Sequence, residues 1–107
     1  MAVINATDNE LRSLVFDNKR VLVKFIDAEC RICKALAPEL ESLSEQARYS
    51  KVVFLRVDAA TNPVSAEEVR FTKAPFFAAY LNGRLIECGV HTTVAEVEKM
   101  LKRSLCK

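Results

Sequence analysis

The sequence predicts an α/β fold built on a central mixed sheet, and three observations carry that prediction. Two apolar, β-branched runs, "VLVKFID" (21–27) and "KVVFLRVD" (51–58), are nearly continuous in hydrophobicity. Strands buried on both faces read this way. Segments with apolar residues at helical spacing alternate with these runs. A third apolar stretch, "PFFAAYLNGRLIECG", is divided by Asn82-Gly83, a strong hairpin signal. The implied order is βαβαβαββα. Its first half needs parallel strands with crossover helices, and the hairpin ends the sheet antiparallel. Five strands and four helices result, with helices on both faces.

Each element has its own signal. "AVIN" is a short apolar start. Thr7 and Glu10 stand at capping-box spacing, and Leu11, Leu14 and Val15 follow at helical spacing. A long helix begins near residue 31, with Leu36, Leu40, Leu43 and Ala47 on one face. Pro38 lies inside that pattern and should kink it. Asn62 is placed to cap the next helix, with Pro63 at its first position. Thr93 and Glu96 form a second capping box. Val94, Val97, Leu101 and Leu105 then make the apolar face of the last helix.

Composition narrows the function. The 107 residues suffice for one domain, 1–107, and half of them are hydrophobic, enough for a true core. A net charge of +2 gives no bias toward nucleic acid or acidic membranes. No apolar run is long enough to span a bilayer. No basic start followed by an apolar block marks a secretory signal. Four cysteines in a chain with this much core do not read as a disulfide framework. A reducing setting, the cytoplasm or else an organelle entered with a targeting peptide since removed, and a monomer are the expectations.

"DAECRICKALAP" (27–38) carries the chemistry. Cys30 falls where a strand gives way to a helix, so free backbone N–H groups and the positive end of the helix dipole favour its thiolate. Cys33 lies one turn further in, shares the helical face, and can resolve a mixed disulfide. A C-x-x-C beside a βαβ pattern is the redox reading. A structural pair or half a zinc site are the alternatives. Zinc needs about four ligands, and only Cys88, His91 and Cys106 remain, at irregular spacing.

With these pieces in their order, the chain resembles the thioredoxin family. The resemblance rests on "VLVKF" before the pair, "CRICKALAP" with Lys34 and Pro38, "NPVSAEEVRFTKAP" and "LNGRLIECG". It implies the thioredoxin fold and a dithiol–disulfide oxidoreductase without cofactor or metal. Cys30 would attack a substrate disulfide, and Cys33 would displace the reduced product, leaving a Cys30–Cys33 disulfide. It further implies a cis Pro75, a substrate groove along Ala74, Pro75, Phe76 and Gly89, and protein disulfides as substrates. Thioredoxin reductase or glutathione would supply electrons. A glutaredoxin is disfavoured because no glycine pair follows the strand after Pro75.

The departures from the family are specific. Glu29 stands where a tryptophan is usual, Arg31-Ile32 replaces Gly-Pro, and Lys24 replaces a buried aspartate. Lys24 is then either a buried amine with a lowered pKa or a snorkelling surface charge. Arg31, Lys34 and the helix dipole should outweigh Glu29 in setting the Cys30 thiolate. Cys88 is expected to be a small core or groove residue, His91 an exposed loop residue, and Asp58 a cap for the loop after its strand. A redox-inert binding module and a metal or iron–sulfur carrier on the same pair remain alternative readings.

Overall fold

The structure is a computed structural model that describes residues 3–106. The apolar start at Ala2 lies outside the described residues, but its continuation forms strand β1 (Val3–Asn5). Then come helix α1 (Asp8–Asp17), strand β2 (Arg20–Ile26), helix α2 (Arg31–Ser44), strand β3 (Val52–Asp58) and helix α3 (Pro63–Glu68). The hairpin strands β4 (Phe76–Leu81) and β5 (Arg84–Val90) and helix α4 (Val94–Ser104) complete the chain. The element order agrees with the sequence reading.

The five strands form one sheet in the order β1-β3-β2-β4-β5. β3 pairs parallel to both β1 and β2, while β4 runs antiparallel to β2 and β5. β2 is therefore hydrogen-bonded on both edges, with Lys24 level with Arg56 on one side and Phe77 on the other. Its residues from Val21 to Phe25 are all buried, as the continuous apolar run implies.

Alternation across the sheet makes two cores. Leu22, Phe54 and Phe77 point to the side covered by Leu36, Leu40 and Leu43 of α2 and by Val97, Met100 and Leu101 of α4. Val21, Val23, Phe25, Leu55 and Val57 point to the other, against Leu11 and Val15 of α1. Truncating a buried ring such as Phe77 to alanine costs about 3–5 kcal/mol.

Local details correct several expectations. α2 ends at Ser44, and Ala47 is exposed in a separate 3₁₀ turn (Ala47–Tyr49), so the helical stripe stops at Leu43. The side chain of Asn62 does not cap α3. Its Oδ1 accepts from the Asp8 N–H at 2.8 Å, and the Asp8 carboxylate instead receives the N–H groups of Val64 and Ser65 at 3.2 and 2.8 Å. At α4, Thr93 accepts the Glu96 N–H at 3.3 Å, and the Glu96 carboxylate reaches back to the backbone N–H groups of Thr92, at 2.9 Å, and of Thr93. Asp58 does cap its loop, accepting the Ala60 N–H at 2.9 Å. The hairpin turn holds Asn82 and Gly83 at φ of 53° and 80°, the pairing a two-residue turn needs.

Candidate active site

β2 delivers the chain to Ile26, and a short loop passes it to α2. In that loop Asp27 Oδ1 accepts the Glu29 N–H at 3.0 Å, and the Asp27 carbonyl accepts the Cys30 N–H at 3.3 Å. These bonds fix Cys30 as the N-cap of α2. Its sulfur does what a serine or aspartate oxygen does elsewhere, accepting the Cys33 N–H at 3.0 Å. An acceptor at that point is stabilised further by negative charge, because the first turn of the helix has no other partners for its N–H groups.

Cys30 and Cys33 form a disulfide, with Cα atoms 5.2 Å apart. The two sulfurs differ in access. Cys30 is half-buried, whereas Cys33 is only 4% exposed and packs inside the first turn. Around them Glu29, Arg31, Ile32 and Lys34 are all exposed. Ile32 is 45% exposed, an apolar side chain presented at the lip of the pair.

Lys24 is buried, at 1% exposure, which excludes the snorkelling arrangement. Its Nζ donates to the carbonyl oxygen of Cys33 at 2.9 Å. Burial pushes the amine down to about 8, and the Arg56 guanidinium beside it adds to the shift. A cavity of about 220 Å³ reaches both Lys24 and Cys33 and is bordered by Arg56, Lys34, Asp27 and Asp58.

A second loop leads into β4, whose first residue, Phe76, is level with Phe25 near the end of β2. The Ala74–Pro75 peptide bond is cis, Pro75 and Phe76 are buried, and Ala74 is half-buried. Gly89 lies within β5, level with Phe77, and so belongs to a strand rather than to a loop. A Cβ on Gly89 would meet only His91 Nε2, at 4.0 Å, so open space adjoins it. His91 is half-buried rather than exposed: its N–H donates to the Pro75 carbonyl at 3.4 Å and its ring lies 6.0 Å from that of Phe77. Its place beside the cis-proline was not readable from the sequence, because only the β4–β5 register reveals it.

The family model for thioredoxin matches residues 2–103. This chain belongs to the thioredoxin family. Thioredoxin-1 of Schizosaccharomyces pombe is 35% identical over 97 residues, covering 91% of this chain and 92% of its own. The structure of reduced Schistosoma mansoni thioredoxin superposes with a TM-score of 0.86 at 31% identity, covering 98% of this chain and all of that one. Mitochondrial thioredoxin 3 of Saccharomyces cerevisiae superposes with a TM-score of 0.86 at 27% identity, covering 94% of each chain. With the thioredoxin fold and a bonded Cys30–Cys33 pair, the protein is a thiol–disulfide oxidoreductase, a protein-disulfide reductase.

Cys88 does not join the thioredoxin site. It is exposed on the outer strand, on the face of its β4 partner Ala78, and its Sγ donates to the Val69 carbonyl at 3.6 Å. Cys106 is a second free thiol, held above the usual thiol range by burial. Among the described residues, no three His, Cys, Asp or Glu side chains are grouped to hold a metal ion. None of the described helices is long and apolar enough to cross a membrane.

Proposed function

We propose that Cys30 is the attacking thiol and Cys33 the resolving thiol in the reduction of protein disulfides. The observation that supports this assignment is the asymmetry of the pair. Cys30 is accessible and caps a helix, where N–H groups and the dipole favour a thiolate, whereas Cys33 is buried behind it. The Cys30 thiolate attacks one sulfur of the substrate disulfide and releases the other as a thiolate. The Cys33 thiolate then attacks Cys30 Sγ, forms the intramolecular disulfide, and releases the second substrate sulfur. A reductant with two electrons to give restores the dithiol.

The substrate lies along Ala74, Pro75, Phe76 and Gly89. Pro75 has no N–H to offer a neighbouring strand, so the Ala74 backbone is free to bond an extended segment. Open space beside Gly89 admits that segment, and exposed Ile32 offers it an apolar contact. Glu29, Arg31 and Lys34 set the field at the rim. Thioredoxin reductase or glutathione is the electron donor, and a reducing compartment such as the cytoplasm is the setting. The free thiols Cys88 and Cys106 fit that setting.

Iodoacetamide at neutral pH tests the assignment. Cys30 of the reduced protein is expected to be alkylated well before Cys33, and Cys33→Ser is expected to trap a mixed disulfide on Cys30. Faster labelling of Cys33 reverses the roles. Insulin reduction with dithiothreitol reads the overall activity, which Cys30→Ser abolishes.

A further inference from the structure

His91 is the only histidine of the chain, and the reaction as set out above makes no use of it. It stands one residue past β5, at the end of the sheet where β2 hands the chain to the Cys30 loop. Its backbone N–H donates to the Pro75 carbonyl at 3.4 Å, so the β4–β5 ladder continues for one more pair, His91 with Pro75. Side chains alternate across a strand. The imidazole therefore shares the face of Glu87, Gly89 and Phe77, the face covered by α2 and α4. Its Nε2 lies 4.0 Å from the point where a Cβ on Gly89 would stand, so the ring borders the open space beside that glycine.

The backbone around His91 is tied down on both sides. Pro75 holds its N–H, and the Glu96 carboxylate holds the N–H of Thr92 at 2.9 Å. The ring is not tied. Its charged neighbours are Glu87 from β5 and Glu96 from α4, and both have other partners: Arg103 and Ser104 for Glu87, Thr92 for Glu96. From β4 it meets the apolar Phe77 ring, at 6.0 Å. Neither ring nitrogen is buried, and neither makes a hydrogen bond among the described residues. An imidazole carries at least one N–H in either protonation state. A fixed donor with no partner thus faces the space beside Gly89.

We propose that the His91 imidazole is a specificity-determining group that donates its ring N–H to a main-chain carbonyl of the protein segment in the groove. The proposal rests on the reading of Ala74, Pro75, Phe76 and Gly89 as that groove. An extended segment presents carbonyls along both edges. Those not bonded to the Ala74 backbone are left for a second donor. A carbonyl is present whatever the side chains, so His91 favours protein segments over small disulfides without selecting a sequence. The ring takes no part in the exchange of sulfurs.

Insulin reduction with dithiothreitol reads KM and kcat, and a single turnover of the reduced protein with hydroxyethyl disulfide reads the chemistry without a peptide. His91→Phe keeps a ring and loses the N–H. It should raise KM for insulin roughly three- to ten-fold, with kcat and the hydroxyethyl disulfide rate within about twofold of wild type. His91→Gln, whose amide nitrogen reaches toward the place of Nε2, should restore most of the affinity. His91→Asn, whose amide lies nearer the backbone, should not. An unchanged KM for insulin in His91→Phe overturns the proposal, and so does an equal loss with both substrates. Gly89→Ala separates the two readings. If it raises KM for insulin and His91→Phe does not, the groove stands and the assignment to His91 falls; if neither does, both fall. A second measurement needs no change at His91. Isotope-labelled histidine gives the signals of a single ring. In Cys33→Ser, trapping a cysteine-containing peptide on Cys30 should move those signals, and trapping mercaptoethanol should leave them in place. Equal movement with both overturns the proposal.

Discussion

Asp8 and Asn62 are joined by a 2.8 Å bond from the Asp8 N–H to Asn62 Oδ1, which turns the start of α1 toward the start of α3. The Asp8 carboxylate completes the exchange by capping α3 through Val64 and Ser65. Burial raises the Asp8 pKa, but the Ser65 hydroxyl and the N–H groups of Ser65 and Val64 outweigh it, so the net shift is downward. The folded carboxyl thus ionises more readily than the unfolded one. Its stabilising share is present above the unfolded pKa and is lost as pH falls through the lower folded value. Asp8→Ala is expected to cost about 1–2 kcal/mol, read by urea unfolding at pH 7. As pH falls through the folded value, which lies below the ordinary 3.8, the variant and the wild type should converge.

Lys24 destabilises the oxidised protein while charged. Its amine is near 8 when folded against 10.5 otherwise, so the unfolded chain binds more protons between those values. The penalty is full below pH 8 and is relieved as pH rises toward 10.5. Lys24→Met should therefore be more stable than wild type at pH 7, by up to about 3 kcal/mol. The advantage should shrink through that alkaline window. A difference that stays flat across it would mean that the gain comes from packing alone.

Gly89 and Gly83 should respond to alanine in opposite ways. At Gly89 the new methyl meets nothing closer than 4.0 Å and φ is not positive, so thermal unfolding should shift by no more than about 0.5 kcal/mol. On the proposed reading of Gly89 as part of the substrate groove, KM for a protein disulfide should rise several-fold with first attack on a small disulfide unchanged. At Gly83 φ is +80° and the Phe16 ring lies 3.0 Å from the new atom. Gly83→Ala should cost about 1–2 kcal/mol with no change in KM.

Glu87 on β5 and Arg103 on α4 form a two-pronged ion pair, with Ser104 Oγ also on Glu87 at 2.6 Å. The Arg103 bonds hold the Glu87 carboxyl down to about 2. Its contribution is present above the ordinary carboxyl value of 4.5 and fades as pH falls toward 2. Both partners are partly open to solvent, so Arg103→Ala should lower stability only slightly at pH 7, read by urea unfolding. Salt titration should shrink that difference.

The order and type of elements are legible in the sequence because β2 and β3 are continuous apolar runs and α4 has a clean helical stripe. Cys30 and Cys33 are legible for the same local reason: three residues of a helix start fix their relation. What the sequence hides is contact between distant segments. Asp8 reads as a residue of the first turn of its own helix, and nothing local says that it caps another one. His91 reads as a loop residue until β5 is paired with β4. Lys24 within an apolar strand admits two positions, inward or toward the rim. Only the parity of the strand together with the placement of α2 selects the inward one.

The position of β2 between a parallel and an antiparallel neighbour also governs how the molecule opens. Peripheral units such as the α1–α3 pairing can fray with two ladders still intact, so the amides of β2 should be among the last to exchange with deuterated solvent. The loop that carries Cys30 is anchored to the end of that strand. Partial opening at the edges therefore leaves the reactive sulfur on its support, and loss of redox activity on denaturation should follow global unfolding rather than precede it.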